Sequence, residues 1–302
     1  MKIAVLGIGG IGGVVGACLA SKFDDIHFIA RGKTLEKIKE NGIRVESLLL
    51  GKIEARPSSV TDNPDDIGPV DILIVCTKGY GLEKAIKQCE GIIGENTVIL
   101  PLLNGVNISE DIRKYTGKGI AADGAIYVFA NIEEPGVIHH TSKLLKTVVG
   151  ISSGKRNEKL LKLVDMLNES GIESKYSDEI LVPIWEKYIM MGGNSCIFAY
   201  YDGPAETIQP YPERMEYALN IYSELVLLAH LSGVEVENGL AERYTDIFSK
   251  MAPGTITSLY RDIRNGNAET EFDAIIGKAY HLGKKLNAET PCIDAVYKKY
   301  RG

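Results

Sequence analysis

The stretch Ile3-Ala4-Val5-Leu6-Gly7-Ile8-Gly9-Gly10-Ile11-Gly12 decides the fold of this chain. Its first four residues are apolar, which is typical of a short strand buried on both faces. The next six match the pattern G-x-G-x-x-G. A helix of small apolar residues follows within 14–20, and a second apolar strand lies within 26–30. This order of strand, glycine-rich turn, helix and strand predicts a βαβ unit.

Each glycine of the pattern has its own structural task. The first allows a tight turn, the second lets the backbone approach a pyrophosphate, and the third lets helix and strand pack closely. The helix N-terminus then presents N–H groups and the positive end of the helix dipole to the phosphates. A glycine-rich turn without a ligand is the alternative. We predict that a dinucleotide is held by Gly7, Ile8, Gly9, Gly10, Ile11 and Gly12.

The residue that closes the second strand indicates which dinucleotide is bound. An acidic residue there binds the ribose 2′-hydroxyl of NAD, whereas an arginine suits the 2′-phosphate of NADP. Arg31 occupies this position, while Asp24 and Asp25 lie before the strand, at its other end. A solvent-exposed charge without a binding role is the alternative for Arg31. After this glycine pattern, the sequence favours NADPH.

Composition excludes several classes of protein. The chain has 302 residues, which is long for one domain and comfortable for two. Its net charge of −6 argues against nucleic acid as a partner. No apolar stretch approaches the roughly 20 residues that cross a membrane. The scattered cysteines fit thiols in a reducing cytoplasm rather than disulfides or a zinc site. They are Cys18, Cys76, Cys89, Cys196 and Cys292.

Strands and helices continue to alternate after Arg31, which indicates a doubly wound, mostly parallel sheet of the Rossmann type. Strands are predicted at 43–45, 48–53, 70–76 and 97–100, helices at 34–41 and 82–89, and a polar loop at 56–69. Polar residues follow two of the strands: Thr77 and Lys78 follow one, and Asn104 the other. Ligand-facing loops belong at these strand ends in an open α/β sheet.

The pattern then changes. Residues 119–140 predict antiparallel strands, and a helix at 156–170 and a strand at 172–176 complete a first domain at residues 1–176. His139 and His140 lie in this part. Because adjacent residues on a strand point to opposite faces, the two histidines cannot both ligate one ion without distortion, and we predict no metal site.

Residues 177–302 predict an all-helical second domain of ordinary size. Helices are predicted at 179–199, 213–232, 236–251, 255–264, 269–286 and 291–300. A small-molecule substrate is expected in the cleft between the two domains. The sequence leaves the oligomeric state open, with a homodimer as one alternative.

Lys187 is the candidate for chemistry in the helical domain. It follows Trp185 and Glu186 in a helix that is otherwise apolar through Met191. Such a lysine often only extends its amine to solvent. The functional interpretation is an ammonium that donates a proton to a carbonyl oxygen during hydride transfer. For Thr270 and Asp273, further along, a capping box is a rival to any functional role.

These residues together resemble the ketopantoate reductase family (2-dehydropantoate 2-reductases) over essentially the whole chain. The resemblance implies a Rossmann domain followed by a helical domain, and NADPH as hydride donor. The matching pieces are Gly7 to Gly12, Ala30-Arg31-Gly32, Cys76-Thr77-Lys78-Gly79-Tyr80, Leu103-Asn104-Gly105-Val106, Trp185-Glu186-Lys187, Ser258 to Asp262, Thr270 to Asp273 and Thr290-Pro291.

The resemblance also implies roles for single residues. Lys187 is expected to be the general acid, and Glu271 to assist it. Arg31, Thr77 and Lys78 are expected to contact the cofactor. Asn104 is expected to lie near the nicotinamide, and Ser258 to bind the substrate. Apart from the resemblance, Asn104, Asn194, Ser195 and Ser258 are the polar candidates for binding the substrate.

Two departures from the family pattern concern the substrate. Family members of the pantothenate pathway usually carry an asparagine one turn after the lysine and another a turn later, where this chain has Met191 and Ser195. The loop after Asp262 also leaves Glu269 as a substitute for Glu271. We therefore expect reduction of 2-dehydropantoate, with a related carbonyl compound as the first alternative. An NADP(H)-binding sensor with little turnover is the second.

Overall fold

In the computed structural model, which describes residues 1–301, the chain forms two compact units. The first consists of Met1–Leu103 and Asn107–Ile180. The second consists of the chain from Leu181 onward together with the short segment Asn104–Val106. Asn104 therefore belongs to the same unit as the helical C-terminal region, although it follows a strand of the first unit.

The first unit combines strands and helices in alternation. Its strands are β1 (Ile3–Leu6), β2 (Ile26–Ile29), β3 (Ile43–Ser47), β4 (Gly51–Ala55), β5 (Ser59–Thr61), β6 (Ile72–Val75), β7 (Val98–Pro101), β8 (Ile120–Ala121), β9 (Asp123–Glu134), β10 (Val137–Gly150) and β11 (Glu173–Tyr176). Its helices are α1 (Gly10–Ala20), α2 (Gly32–Asn41), α3 (Leu82–Gln88), α4 (Ile108–Tyr115) and α5 (Glu158–Glu169).

Six strands form a parallel sheet in the order β5-β2-β1-β6-β7-β8. Side chains of a strand point alternately to the two faces. Accordingly, Ile3 and Val5 of β1 belong to one hydrophobic core, and Ala4 and Leu6 belong to the other. Helix α1 contributes to the first core, and α3 and α4 contribute to the second. The doubly wound parallel sheet predicted from the sequence is confirmed.

The remaining strands form a second sheet. Strands β9 and β10 are antiparallel, as predicted. Strand β10 is longer than predicted, and its other edge pairs in parallel with β3 near one end and with β11 near the other. Strand β4 extends the sheet beside β3. The second sheet therefore joins chain segments that lie far apart in the sequence.

Helix α1 packs against strands of both sheets, which explains its small residues. A Cβ atom on Gly13 would lie 2.6 Å from the Ile138 side chain of β10. A Cβ atom on Gly16 would lie 2.8 Å from the ring of Phe28 of β2. Both distances are shorter than real contacts between such atoms, so a side chain at either position would push α1 away. The two-sided packing holds α1 close to the strands of both sheets.

The sequence pattern misses two elements of the first unit. Strand β5 lies in the predicted polar loop, because three residues are too few to show a period of two. It pairs with β2, and Ser59 also hydrogen-bonds His27 at 2.8 Å. Helix α4 has apolar residues at Ile108, Ile112 and Tyr115, the spacing of a helix face, and Ile112 is fully buried.

Residues 181–301 contain helices and no strand, as predicted. The α-helices are α6 (Leu181–Tyr201), α7 (Pro212–Leu231), α8 (Leu240–Ser249), α9 (Ser258–Arg264), α10 (Lys278–Leu286) and α11 (Pro291–Arg301). Helix α6 is in contact with α7, α8, α9 and α11, which explains its apolar sequence. The segment predicted as one helix over 269–286 differs: it starts with a π-helix at Asp273–Gly277, and α10 follows.

Candidate active site

The glycine-rich turn between β1 and α1 forms an open cradle. Gly7 has φ +90°, a conformation that favours glycine. A Cβ atom on Gly12 would lie 2.1 Å from the carbonyl oxygen of Gly7, so this glycine permits the close contact of helix and turn. Gly9, in contrast, has no atom within 4 Å of its Cβ position. The backbone is thus packed on one side and open on the other, as the approach of a pyrophosphate requires.

The other residues of the pattern hold this turn in place. Ile8 is buried, and Ile11 is half-buried against the first core. A Cβ atom on Gly10 would lie 2.6 Å from the carbonyl oxygen of Ala130, in β9. No acidic residue lies in the first turn of α1, and no side chain caps it. Its N-terminal N–H groups are therefore suited to an anion.

Thr77 carries a buried hydroxyl beside this cradle. Its Oγ1 atom has no hydrogen-bond partner within residues 1–301, and its Cγ2 atom lies 3.2 Å from the Cβ position of Gly7. An unsatisfied buried polar group costs about 1–3 kcal/mol, so its presence needs an explanation. The unsatisfied hydroxyl is explained if it hydrogen-bonds a phosphate oxygen of a bound ligand. The residues present therefore fit a dinucleotide.

The two basic residues predicted for the cofactor lie at the same sheet edge. Strands β1, β2 and β6 are parallel neighbours, so their carboxyl ends meet at one edge. Arg31 follows β2 and precedes the first residue of α2. Lys78 follows β6 and precedes a 3₁₀ turn at Gly79–Gly81. Both side chains are exposed, and Arg31 donates a hydrogen bond to Gln88.

In the second unit, Lys187 of α6 is joined to Asn104. The Nζ atom of Lys187 donates a hydrogen bond to Oδ1 of Asn104 at 3.2 Å. Burial lowers the pKa of Lys187 from its ordinary value of 10.5 to about 8, and the negative charge of Glu271 opposes this shift. An amine with a pKa near the working pH is well suited to transfer a proton. Three residues predicted for the site are thus brought together.

The two candidate glutamates differ in burial. Glu271 is 4% exposed and acts on the charge of Lys187, whereas Glu269 is exposed. The capping box that was the alternative role for Thr270 and Asp273 does not appear among the hydrogen bonds of residues 1–301. Thr270 accepts a hydrogen bond from the N–H of Phe272 at 3.3 Å, and Asp273 pairs with Arg301 at 3.2 Å. Thr270 therefore supports the turn that carries Glu271.

Sequence reasoning missed how the segment after Glu271 is held. In the π-helix that follows, the carbonyl oxygen of Ile275 accepts a hydrogen bond from the Tyr188 hydroxyl at 2.6 Å, and both groups are buried. Tyr188 directly follows Lys187 on α6. A π-turn is frequent near functional sites, but a single sequence carries no period that reveals it. Tyr188 ties the helix of the lysine to the segment of the glutamate.

The predicted substrate residues have different surroundings. Asn194 is 9% exposed, and its Oδ1 atom accepts a hydrogen bond from Tyr222. Ser195 is 1% exposed, and its hydroxyl donates to the carbonyl of Met191 at 2.8 Å. Both therefore make contacts within the helical unit. Ser258, the first residue of α9, is exposed.

Met191 lies one turn after Lys187 on α6. Residues four apart on a helix are neighbours on one face. Both are half-buried, whereas the α6 residues from Gly192 to Ala199 are buried. Met191 and Lys187 therefore share the more open stripe of this helix.

Among residues 1–301, one group of side chains has the spacing of a metal site: Glu46, Glu133 and His139. The Nε2 atom of His139 lies 2.8 Å from a carboxylate oxygen of Glu133 and 3.1 Å from one of Glu46. As predicted, His140 points to the other face, where it is buried and hydrogen-bonds Ser47 at 2.8 Å. The sequence could not reveal this group, because sheet pairing brings its members together. Both glutamates are exposed, and such carboxylates commonly bind no ion.

The helices also bear on membranes. Within the part of the chain that the structure describes, no helix is long and apolar enough to cross a bilayer.

Comparison with known proteins identifies the family. The family model "Ketopantoate reductase PanE/ApbA" matches residues 3–154, and its C-terminal counterpart matches residues 179–302. A 2-dehydropantoate 2-reductase of Pyrococcus horikoshii is 28% identical over 96% of this chain and 93% of its own length. The oxidoreductase YkpB of Bacillus subtilis, itself uncharacterized, is 27% identical over 98% of this chain and 97% of its own length.

A solved structure agrees over both units. The crystal structure of 2-dehydropantoate 2-reductase from Porphyromonas gingivalis matches with a TM-score of 0.85 and 29% identity, and it covers 100% of this chain and 99% of that one. The two family models together span most of the sequence, and the resemblance inferred from single motifs is confirmed. This chain is a member of the ketopantoate reductase family.

Proposed function

We propose that this protein uses NADPH to reduce the carbonyl group of a small 2-oxo acid, with 2-dehydropantoate as the leading substrate. The observation that carries the proposal is the set of Lys187, Asn104 and Glu271, in which a lysine with a lowered pKa is hydrogen-bonded to an amide and faces a buried carboxylate. A protein that only senses a dinucleotide has no need for such a proton donor. The names of the relatives support the same reaction.

The cofactor would be held by the glycine cradle, the Thr77 hydroxyl and the charges of Arg31 and Lys78. When bound, the nicotinamide supplies the hydride that reduces the carbonyl carbon. The ammonium of Lys187 donates a hydrogen bond to the carbonyl oxygen and transfers its proton there as negative charge develops. Asn104 orients the Nζ atom. Glu271 favours the ammonium over the neutral amine, which keeps the proton available until it is needed.

The substrate carboxylate needs hydrogen-bond donors of its own. Ser258 is accessible and can provide a hydroxyl. Asn194 can contribute its amide nitrogen while its oxygen remains bonded to Tyr222. Ser195 can contribute only if its hydroxyl leaves the carbonyl of Met191.

The proposal is tested by following NADPH oxidation with 2-dehydropantoate and with a panel of other 2-oxo acids. Saturable oxidation with 2-dehydropantoate supports it. If NADPH binds tightly and none of the 2-oxo acids is reduced, the protein is a sensor rather than a reductase. If another carbonyl compound is turned over and 2-dehydropantoate is not, the reaction class stands and the substrate is wrong.

The rate of reduction should fall as the pH rises above about 8. Lys187 must carry its proton to act as the acid, and its pKa of about 8 means that the protonated fraction falls with pH above that value. Oxidation of the alcohol product with NADP⁺ needs the neutral amine, so its rate should rise over the same range. The measurement is kcat/KM against pH in both directions. Parallel curves would show that Lys187 does not transfer the proton.

Met191 favours a second candidate substrate, a 2-oxo acid with a less polar side chain. A site built to hydrogen-bond a hydroxyl rejects analogues that lack it, whereas an apolar site discriminates less. We expect poor selectivity for 2-dehydropantoate over its 4-deoxy analogue, and Met191→Asn should increase that selectivity about 10-fold or more. Ratios of kcat/KM for both substrates, in both proteins, test this. Met190→Asn serves as the control, and equal ratios before and after Met191→Asn would contradict the expectation.

A further inference from the structure

The predicted 2′-phosphate ligand, Arg31, has a partner that the sequence does not suggest. Its Nη2 atom donates a hydrogen bond to Oε1 of Gln88, the last residue of α3. The two residues are 57 positions apart, and they meet because α2 and α3 follow β2 and β6 on either side of β1. Gln88 belongs to none of the motifs that mark the family.

The chemistry of this partner is informative. A guanidinium binds phosphate best when two of its N–H groups point at two oxygens in one plane. Holding one edge of Arg31 through Nη2 restricts its rotation and leaves the other N–H groups for a ligand. Gln88 does this with a neutral amide. A carboxylate at the same place would neutralise the charge that a phosphate needs.

The surface around Gln88 supplies a second cation. Gln88 lines a shallow hollow together with Tyr80, Glu83, Lys84 and Lys87. Lys87 already pairs with Glu83 at 2.6 Å. Lys84, four residues before Gln88, lies on the same face of α3. This face therefore presents a lysine one turn away from the amide that is hydrogen-bonded to Arg31.

We propose that Gln88 is a positioning residue for Arg31, and that Gln88, Arg31 and Lys84 together form the subsite that distinguishes NADPH from NADH by its 2′-phosphate. This inference rests on the proposed function, since it assumes that the dinucleotide binds at the glycine cradle. According to this inference, residues of α3 as well as Arg31 after β2 set the preference for NADPH over NADH.

The test compares dissociation constants of NADPH, NADH and adenosine 2′,5′-bisphosphate, measured by fluorescence or calorimetry. Gln88→Glu should raise the dissociation constants of NADPH and the bisphosphate about 10-fold or more. The new carboxylate competes for Arg31 and repels the phosphate. Lys84→Gln should raise the dissociation constants of NADPH and the bisphosphate about 3-fold. The dissociation constant of NADH should change less than about 2-fold in each variant, since NADH lacks the 2′-phosphate. Added salt screens exposed charges, so it should reduce the difference in NADPH affinity between wild type and Lys84→Gln.

Lys114→Gln is the matched control, because it removes one positive charge from an exposed position on the neighbouring helix α4. It should leave the ratio of NADPH to NADH affinity unchanged. Gln88→Ala, which adds no charge, should lower that ratio about 3-fold through loss of positioning alone.

The outcomes separate this inference from the proposed function. A wild type that prefers NADPH, with the ratio unchanged in Gln88→Glu and Lys84→Gln, overturns the subsite and leaves the reductase proposal intact. A wild type that binds both dinucleotides equally overturns the subsite and the NADPH preference together. Loss of NADH binding in Gln88→Glu also overturns the inference, because it would show damage to the cradle rather than to the 2′-phosphate subsite.

Discussion

Replacing Lys187 with alanine is expected to lower kcat by about 10²- to 10⁴-fold, the usual contribution of a general acid. The substitution removes the ammonium that is hydrogen-bonded to Asn104 and whose pKa the charge of Glu271 raises. The dissociation constant of NADPH should remain nearly unchanged, because the glycine cradle belongs to the first unit. Steady-state NADPH oxidation and fluorescence titration measure the two quantities.

Two further variants make this prediction specific. Lys250→Ala removes an exposed lysine from the same unit and should leave kcat unchanged. Small primary amines should partly restore the activity of Lys187→Ala, in proportion to the concentration of the protonated amine. A simple packing role cannot explain such rescue. If kcat survives Lys187→Ala, Lys187 is not the general acid, and the proton comes from elsewhere.

Glu271→Gln should have a smaller effect on kcat, accompanied by a shift of the pH profile. The carboxylate raises the pKa of Lys187 against the effect of burial. Without its charge, the pKa falls further, and reduction should decline at a lower pH than in the wild type.

The first unit could be predicted from the sequence where its signals are local. Four apolar residues before a glycine pattern can only be buried on both faces if helices cover both sides of the sheet, and β1 has this environment. The small residues of α1 also have a local signal. The reason for these small residues is not local. Gly13 must lack a side chain because Ile138 of β10, more than a hundred residues away, packs against it.

The candidate site is less predictable because its members are distant in sequence. Asn104 and Lys187 are 83 residues apart, and their hydrogen bond needs a three-residue segment that leaves the first unit. The sequence around Lys187 suggested a proton donor, whereas Glu271 gained a role only through resemblance to a family. We favour Glu271 over Glu269 because Glu271 is buried and Glu269 is exposed, a difference that no periodicity of the sequence reveals.

Replacing Arg31 with alanine should weaken NADPH binding by about 10- to 150-fold and leave NADH binding nearly unchanged. Hydrogen bonds to charged groups contribute about 1.5–3 kcal/mol, which corresponds to that range of affinity. Arg31 is exposed, and its hydrogen-bond partner within residues 1–301, Gln88, is neutral, so its charge is available to a 2′-phosphate. NADH carries a hydroxyl at that position and gains little from a guanidinium.

The measurement is a set of dissociation constants for both dinucleotides in wild type, Arg31→Ala, Arg31→Lys and Lys39→Ala. Lys39 lies in the last turn of α2, at the opposite end from Arg31, and its loss changes the net charge equally. Arg31→Lys keeps the charge but lacks the paired N–H groups, so it should recover only part of the NADPH affinity. Lys39→Ala should bind NADPH and NADH with the same affinities as the wild type. Equal affinities for NADPH and NADH in the wild type would show that Arg31 is an exposed charge without a role in cofactor choice, and that the reductase accepts either dinucleotide.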